Sequence, residues 1–368
     1  MFLTAEEIDT NIGWLLEHGS PPVRYSTHRH ILKTDPRSEE MKELWKGVET
    51  SRAAEHILSR QNADGLWFSS GDWGTRAYRH SGGKGYTIAH PKFVTTAWIL
   101  PFLGGMGFTI EDERIARACE AMLLEWGAPP DPGKTRGNCC GLYAVPLWAL
   151  ASAGRAADRR LQGAWDRLVQ CQRDDGGWLH PDHLFGSRSP KKTQGRWPWD
   201  RSCAWGSSFA TEALFHSTIP DHRLPLVRAL EFQLWHLSQK DEAHIQTWVY
   251  HGHNTVQELL MFSEAGIDMS SRPIQALLHW LKGLYRPDEG MFRAQAEPVP
   301  VFTRQISTIM RDFEDRYGPG YWKEIPKASY GILRYRLYHL VEDDWLTYYL
   351  TRIARNMLLP DSEPEPHL

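Results

Sequence analysis

One short pattern occurs twice in this chain and constrains its fold more than any other feature. "RQNADGLWF" holds Gln61, Asp64, Gly65 and Trp67, and "CQRDDGGWLHP" holds Gln172, Asp175, Gly176 and Trp178 at the same spacings. The copies stand 172 − 61 = 111 residues apart. Each follows a helical segment, so the repeated element is the joint between one helix and the next structural unit.

Helical periodicity divides the 111 residues into two units of roughly 50–60 each. Amphipathic segments precede the two copies ("GVETSRAAEHILSR", "LQGAWDRLVQC"), and "EDERIARACEAMLLEWG" lies between them. "PLVRALEFQLWHL" and "SRPIQALLHWLKGLYRPDEGMF" follow, the latter holding a degenerate third copy in Asp288, Gly290 and Phe292. "DWLTYYLTRIARNML" (344–358) is the sixth amphipathic member. Alternating with these are segments richer in apolar and small residues, at 22–32, 92–107, 140–154, 203–217, 253–266 and 328–341. Helices apolar all round are buried, and helices with one apolar stripe cover them. Six of each, in alternation, predict an all-α (α/α)6 toroid of inner helices ringed by outer ones. An open α-solenoid is the alternative; it would need polar end caps. The expectation is one domain over 1–358, with a helix at its N-terminus. The acidic, Pro-rich tail 359–368 is expected to be disordered.

The repeats resemble the QW motifs of squalene–hopene cyclase-type terpenoid cyclases and the related repeats of protein prenyltransferase β subunits. The helical order resembles that superfamily over roughly 20–358. The resemblance implies that Gln61, Trp67, Gln172 and Trp178 are structural, tying an outer helix end to the next element. It also implies a central cavity opening toward the N-termini of the inner helices.

Those first turns are rich in reactive side chains. They hold His90 and Lys92, Cys139 and Cys140, Asp200 and Cys203, and Tyr250, His251 and His253. Carboxylate, thiolate and imidazole form a mixed set that Zn²⁺ accepts with one position left open. Asp200, Cys203 and either His251 or His253 resemble the prenyltransferase arrangement, although the family spaces its Asp and Cys by two and this chain by 203 − 200 = 3. Such a metal would activate a thiol as nucleophile. Without metal, Asp200 stands where class II cyclases place their acid, as a single carboxyl, with a histidine as proton partner. Trp98, Trp205, Phe209 and Tyr250 are the candidate substrate-lining residues, since aromatic faces stabilise a carbocation. Arg196, in the basic stretch "SRSPKKTQGRW", is a candidate contact for an anionic substrate group.

Two further chemistries fit a helical toroid. A carbohydrate lyase or hydrolase would use Tyr250, His251 and Arg201, and a non-catalytic toroid would hold a lipid. The net charge of −3, without a Lys/Arg run, argues against a nucleic-acid partner. No apolar stretch is long enough to span a membrane, while peripheral contact with one is compatible with the sequence. The start lacks the pattern of a secretory signal. An odd number of cysteines, five, without framework spacing predicts reduced thiols and a cytoplasmic setting. Sequence leaves the oligomeric state open.

Overall fold

Helix α1 (Ala5–His18) begins where Thr4 and Glu7 cap each other. The Thr4 hydroxyl accepts the Glu7 N–H at 3.2 Å, and the Glu7 carboxylate accepts the Thr4 N–H at 2.8 Å. This reciprocal pair satisfies two of the N–H groups that a helix start leaves without partners. The computed structural model describes residues 2–67, 96–126, 144–179, 202–239, 255–293 and 343–358. The helix expected at 328–341, the tail 359–368 and most of the long connections lie outside the described residues. Among the described residues the chain is helical except for one short hairpin. It divides into two compact units, Met1–Ser59 with Leu237–Glu365, and Arg60–His236.

In the unit Met1–Ser59 with Leu237–Glu365, α1 is followed by α2 (Pro21–Ser26), which runs on as a π-helix, Thr27–Leu32, ended by left-handed Lys33. Then come α3 (Glu39–Glu49) and α4 (Arg52–Leu58), started by Ser38 and Ser51, whose hydroxyls accept N–H groups of the first turn.

In the unit Arg60–His236, α5 (Thr96–Gly105), α7 (Ala144–Ser152) and α9 (Ala204–Phe215) are buried along most of their length. α7 packs against both α5 and α9. Gly104 allows the close α5–α7 approach, because a Cβ there would meet the Ser152 backbone. Amphipathic α6 (Glu113–Trp126) packs on α5 and α7, and α8 (Gln162–Gln170) packs on α7. The chain then continues through α10 (Arg223–Ser238).

The first unit resumes with α11 (Thr255–Ala265), α12 (Arg272–Lys282) and a hairpin. In the hairpin, β1 (Tyr285–Arg286) pairs antiparallel with β2 (Met291–Phe292). α13 (Asp343–Leu358) packs on α11, α1 and the π-helix. Expected among the outer helices, α13 instead buries eight of its residues and neighbours α11, a helix of the apolar set. Its polar residues are absorbed by internal pairing, described below, and composition alone gives no sign of that.

The repeated motif folds the same way each time. Gln61 Nε2 donates to Gly65 O at 2.8 Å and to Arg114 O, in the first turn of α6, at 2.7 Å. Gln172 Nε2 donates to Gly176 O at 2.9 Å and to Pro225 O, in α10, at 2.8 Å. Gly65 and Gly176 both have φ +85°. A side chain at either would collide with the helix beyond, at Arg117 or Arg228. The Trp67 N–H donates to Thr96 Oγ1 at 2.9 Å and the Trp178 N–H to Ser207 Oγ at 2.8 Å. Both tryptophans are buried.

The third copy makes the same joint with different residues. Gly290 has φ +68° and lies against Thr10, and the Phe292 N–H donates to Thr347 Oγ1 at 2.9 Å. Arg286 stands where the other copies have Gln, and the missing amide comes from the docked helix instead. Buried Asn11, in the orientation that satisfies both ends of its amide, donates from Nδ2 to Gly290 O at 2.9 Å and to Glu7 O at 3.1 Å, while Oδ1 accepts from Thr351. Glu7 and Thr10 of α1 thus stand as Arg114 and Arg117 do in α6, and as Pro225 and Arg228 do in α10. In this joint α1 takes the place that α6 and α10 take in the other two.

Three substitutions test the joints. Gly176→Ala should lower unfolding free energy by about 3 kcal/mol, from left-handed backbone strain and the clash with Arg228. Gly13→Ala, in open space on α1, should raise it by up to about 1 kcal/mol. Asn11→Ala removes the side-chain donor to the Gly290 carbonyl and should cost about 2 kcal/mol. Denaturant titration measures all three; a neutral Gly176→Ala would contradict the joint geometry.

Candidate functional site

The second joint places Cys203. Asp175 accepts the Ser202 hydroxyl at 2.6 Å and the Ser202 N–H at 3.3 Å, and the Trp178 carbonyl accepts the Cys203 N–H at 2.8 Å. Cys203 is therefore fixed as the N-cap of α9, in extended conformation, with Sγ accepting the Gly206 N–H at 3.5 Å. The residue is buried. A thiol in this position stands at the positive end of a helix. Of the expected Asp200/Cys203/His251 set, Cys203 alone is described. Asp200, Arg196, Tyr250, His251 and His253 lie outside the described residues. Among the described residues no three His, Cys, Asp or Glu side chains gather closely enough to hold a metal ion.

The joint hydroxyls fix the rotation of three helices. Thr96, Ser207 and Thr347 each face the joint of their own helix. A position two residues on lies about 200° round the helix, and one five residues on about 140° round, so both stand on the side away from the joint. The +2 positions are Trp98, Phe209 and Tyr349, aromatic in all three helices. Phe209 and Tyr349 are buried. Trp98 and Trp205 lie on α5 and α9, but their side chains are outside the described set. The +5 positions are Pro101, Glu212 and Arg352. Glu212 is fully buried, with His216 at 3.8 Å one turn on. Glu258, on α11, is buried as well.

On α13 the residues around Arg352 form a polar cluster that the sequence reading overlooked. Arg352 Nη2 lies 2.5 Å from Glu264 Oε1 of α11, and Nη1 donates to the Tyr348 hydroxyl at 3.1 Å. Burial pushes the Tyr348 hydroxyl pKa up, which keeps it protonated. Burial works against the Arg352 charge, and Glu264, Tyr348 and Tyr349 together outweigh it, so the guanidinium stays ionised. Tyr348 and Tyr349 meet edge to face at 4.9 Å, with Trp345 5.8 Å from Tyr349. The signal in the sequence was the spacing from joint aromatic to joint hydroxyl. It is 96 − 67 = 29 and 207 − 178 = 29 in the first two copies, and it lengthens to 347 − 292 = 55 in the third.

Comparison with known proteins returned no match: no family model, no curated protein and no solved structure matches this chain.

The thiols give a direct check on Cys203. Burial raises the Cys119 pKa to about 12, while Cys171 is half-buried at the end of α8. Native-state alkylation read by peptide mass spectrometry should modify Cys171 at least about a hundredfold faster than Cys119 or Cys203. Labelling of Cys203 at the Cys171 rate would contradict its place as a buried cap.

Proposed function

We propose that the chain is a closed (α/α)6 toroid of the terpenoid cyclase/prenyltransferase type, acting on an isoprenoid or other apolar small molecule held along its axis. One observation carries the reading: the three joint-bearing helices, α5, α9 and α13, each place an aromatic residue on the side away from the joint. In a closed ring that side is turned to the axis. Trp98, Phe209 and Tyr349 would then offer π-faces to an apolar or cationic ligand. The use of α1 in the third joint supports closure, since the first helix stands where a helix following α13 would. That gives six outer positions, at α1, α3–α4, α6, α8, α10 and α12. The six inner ones are α2 with its π-helix, α5, α7, α9, α11 and α13.

In this reading Asp200 and Cys203 stand at the start of α9, with His251 and His253 before α11. Asp200 is the acid that initiates reaction, and a histidine restores its proton. A second reading rests on the Cys203 position. A thiol at a buried helix start, with Asp200 and His251, would hold Zn²⁺, which supplies an activated thiolate or water when bound.

Two experiments test these assignments. Differential scanning fluorimetry with farnesol, geranylgeraniol and squalene should show at least one raising the Tm by several degrees in proportion to log concentration. Phe209→Ala should abolish that shift. A chain whose Tm none of them moves would overturn the apolar-ligand reading. Metal analysis of protein purified without chelators should find about one zinc per chain, lost in Cys203→Ala, if the second reading holds. Wild-type protein free of zinc would leave Asp200 as a metal-free acid, and Asp200→Asn should then lose turnover while keeping its Tm.

A further inference from the structure

Arg352 is a costly residue to place on an inner helix. Removing a guanidinium and a carboxylate from water is expensive, and a well-packed apolar pair of similar volume would stabilise the fold as well or better. The pair persists on the side of α13 that carries Tyr349, and Trp345, Tyr348 and Tyr349 form the aromatic wall next to it. Among the described residues the geometry leaves donors over. A guanidinium has five N–H groups in a rigid fork, and Glu264 and Tyr348 each engage one terminal nitrogen. The Tyr348 oxygen accepts from Arg352, so its own O–H remains to donate elsewhere. Arg352 keeps 14% of its side chain accessible, and Glu264 keeps 9%. Ser263 and Asn356 bond one turn further on, at 3.1 Å, and so fix α11 against α13 beside the ion pair.

We propose that Arg352, oriented by Glu264 and assisted by the Tyr348 hydroxyl, receives an anionic head group. The ligand is then an apolar chain ending in a carboxylate or phosphate rather than a neutral hydrocarbon. This rests on the apolar-ligand reading above and names the class of ligand within it. Arg352 and Tyr348 bind the head, whereas Glu264 is a positioning residue: its carboxylate, 2.5 Å from Nη2, draws the guanidinium toward α11 and keeps its charge matched when the ligand leaves. A planar fork matches two oxygens of either oxyanion at once, which a lysine ammonium does not.

The test is titration of intrinsic tryptophan fluorescence in the full-length chain with palmitate, hexadecyl phosphate and hexadecanol. Wild type should bind at least one anion roughly tenfold or more tighter than the alcohol, as charge-assisted bonds require. That preference should survive 0.5 M salt, because the pair is buried. The double variant Arg352→Met/Glu264→Leu removes both charges together and so avoids stranding one of them. It should bind all three compounds within about twofold of one another. Arg352→Lys should lose most of the preference while staying folded. The tighter of the two anions identifies the head group. Equal affinity for alcohol and both anions in wild type would overturn the anchor and leave the apolar-ligand reading standing. So would a preference that persists in the double variant. Absence of binding by all three compounds would overturn both.

Discussion

The structure depends on a primary amide that bridges two carbonyls. In each joint one side-chain –NH₂ donates to the carbonyl of a left-handed glycine and to a carbonyl in the first turn of the helix docked beyond it. Two donors on one nitrogen reach two carbonyls at once, one in the turn and the other already bonded within its own helix, and so tie the turn to that helix. The glycine is obligatory on two counts: its φ is positive, and the docked helix leaves no room for a Cβ. Once the amide is made, the aromatic residue two positions after the glycine is committed to the core. Its N–H then reaches a hydroxyl on the next buried helix.

That hydroxyl carries the consequence from packing to chemistry. Because Thr96, Ser207 and Thr347 are held facing their joints, the opposite sides of their helices are set without further contacts. Cys203 gains its place by the same route, pinned between the Trp178 carbonyl and the α9 N-terminus. The aromatic positions at +2 and the charged ones at +5 follow from the helical repeat. Arg352 and Glu264 form their ion pair only because α11 and α13 are held at a fixed rotation.

The two-copy motif made the helical class legible, since Gln, Gly and Trp at fixed offsets describe the joint almost completely. The third joint was only half visible. Asp288, Gly290 and Phe292 showed the turn, but its amide, Asn11, lies at the other end of the chain, where no local pattern could reveal it. α13 misled for a related reason. Charged residues on a helix suggest a solvated face, and here the Arg352 charge is paired with Glu264 inside the fold. Cys203 was singled out from its position before an apolar helix, and its role as N-cap became evident only from the backbone. The side chain that caps α9 belongs to Cys203.

If α1 completes the circle of outer helices, the chain in solution is a ring rather than an open array. Small-angle X-ray scattering of the full-length monomer tests this most directly. A closed toroid of 368 residues is expected to have a radius of gyration near about 21 Å and a single-peaked pair-distance distribution. A radius several ångströms larger, with a long tail in that distribution, would contradict closure and return the chain to an open solenoid.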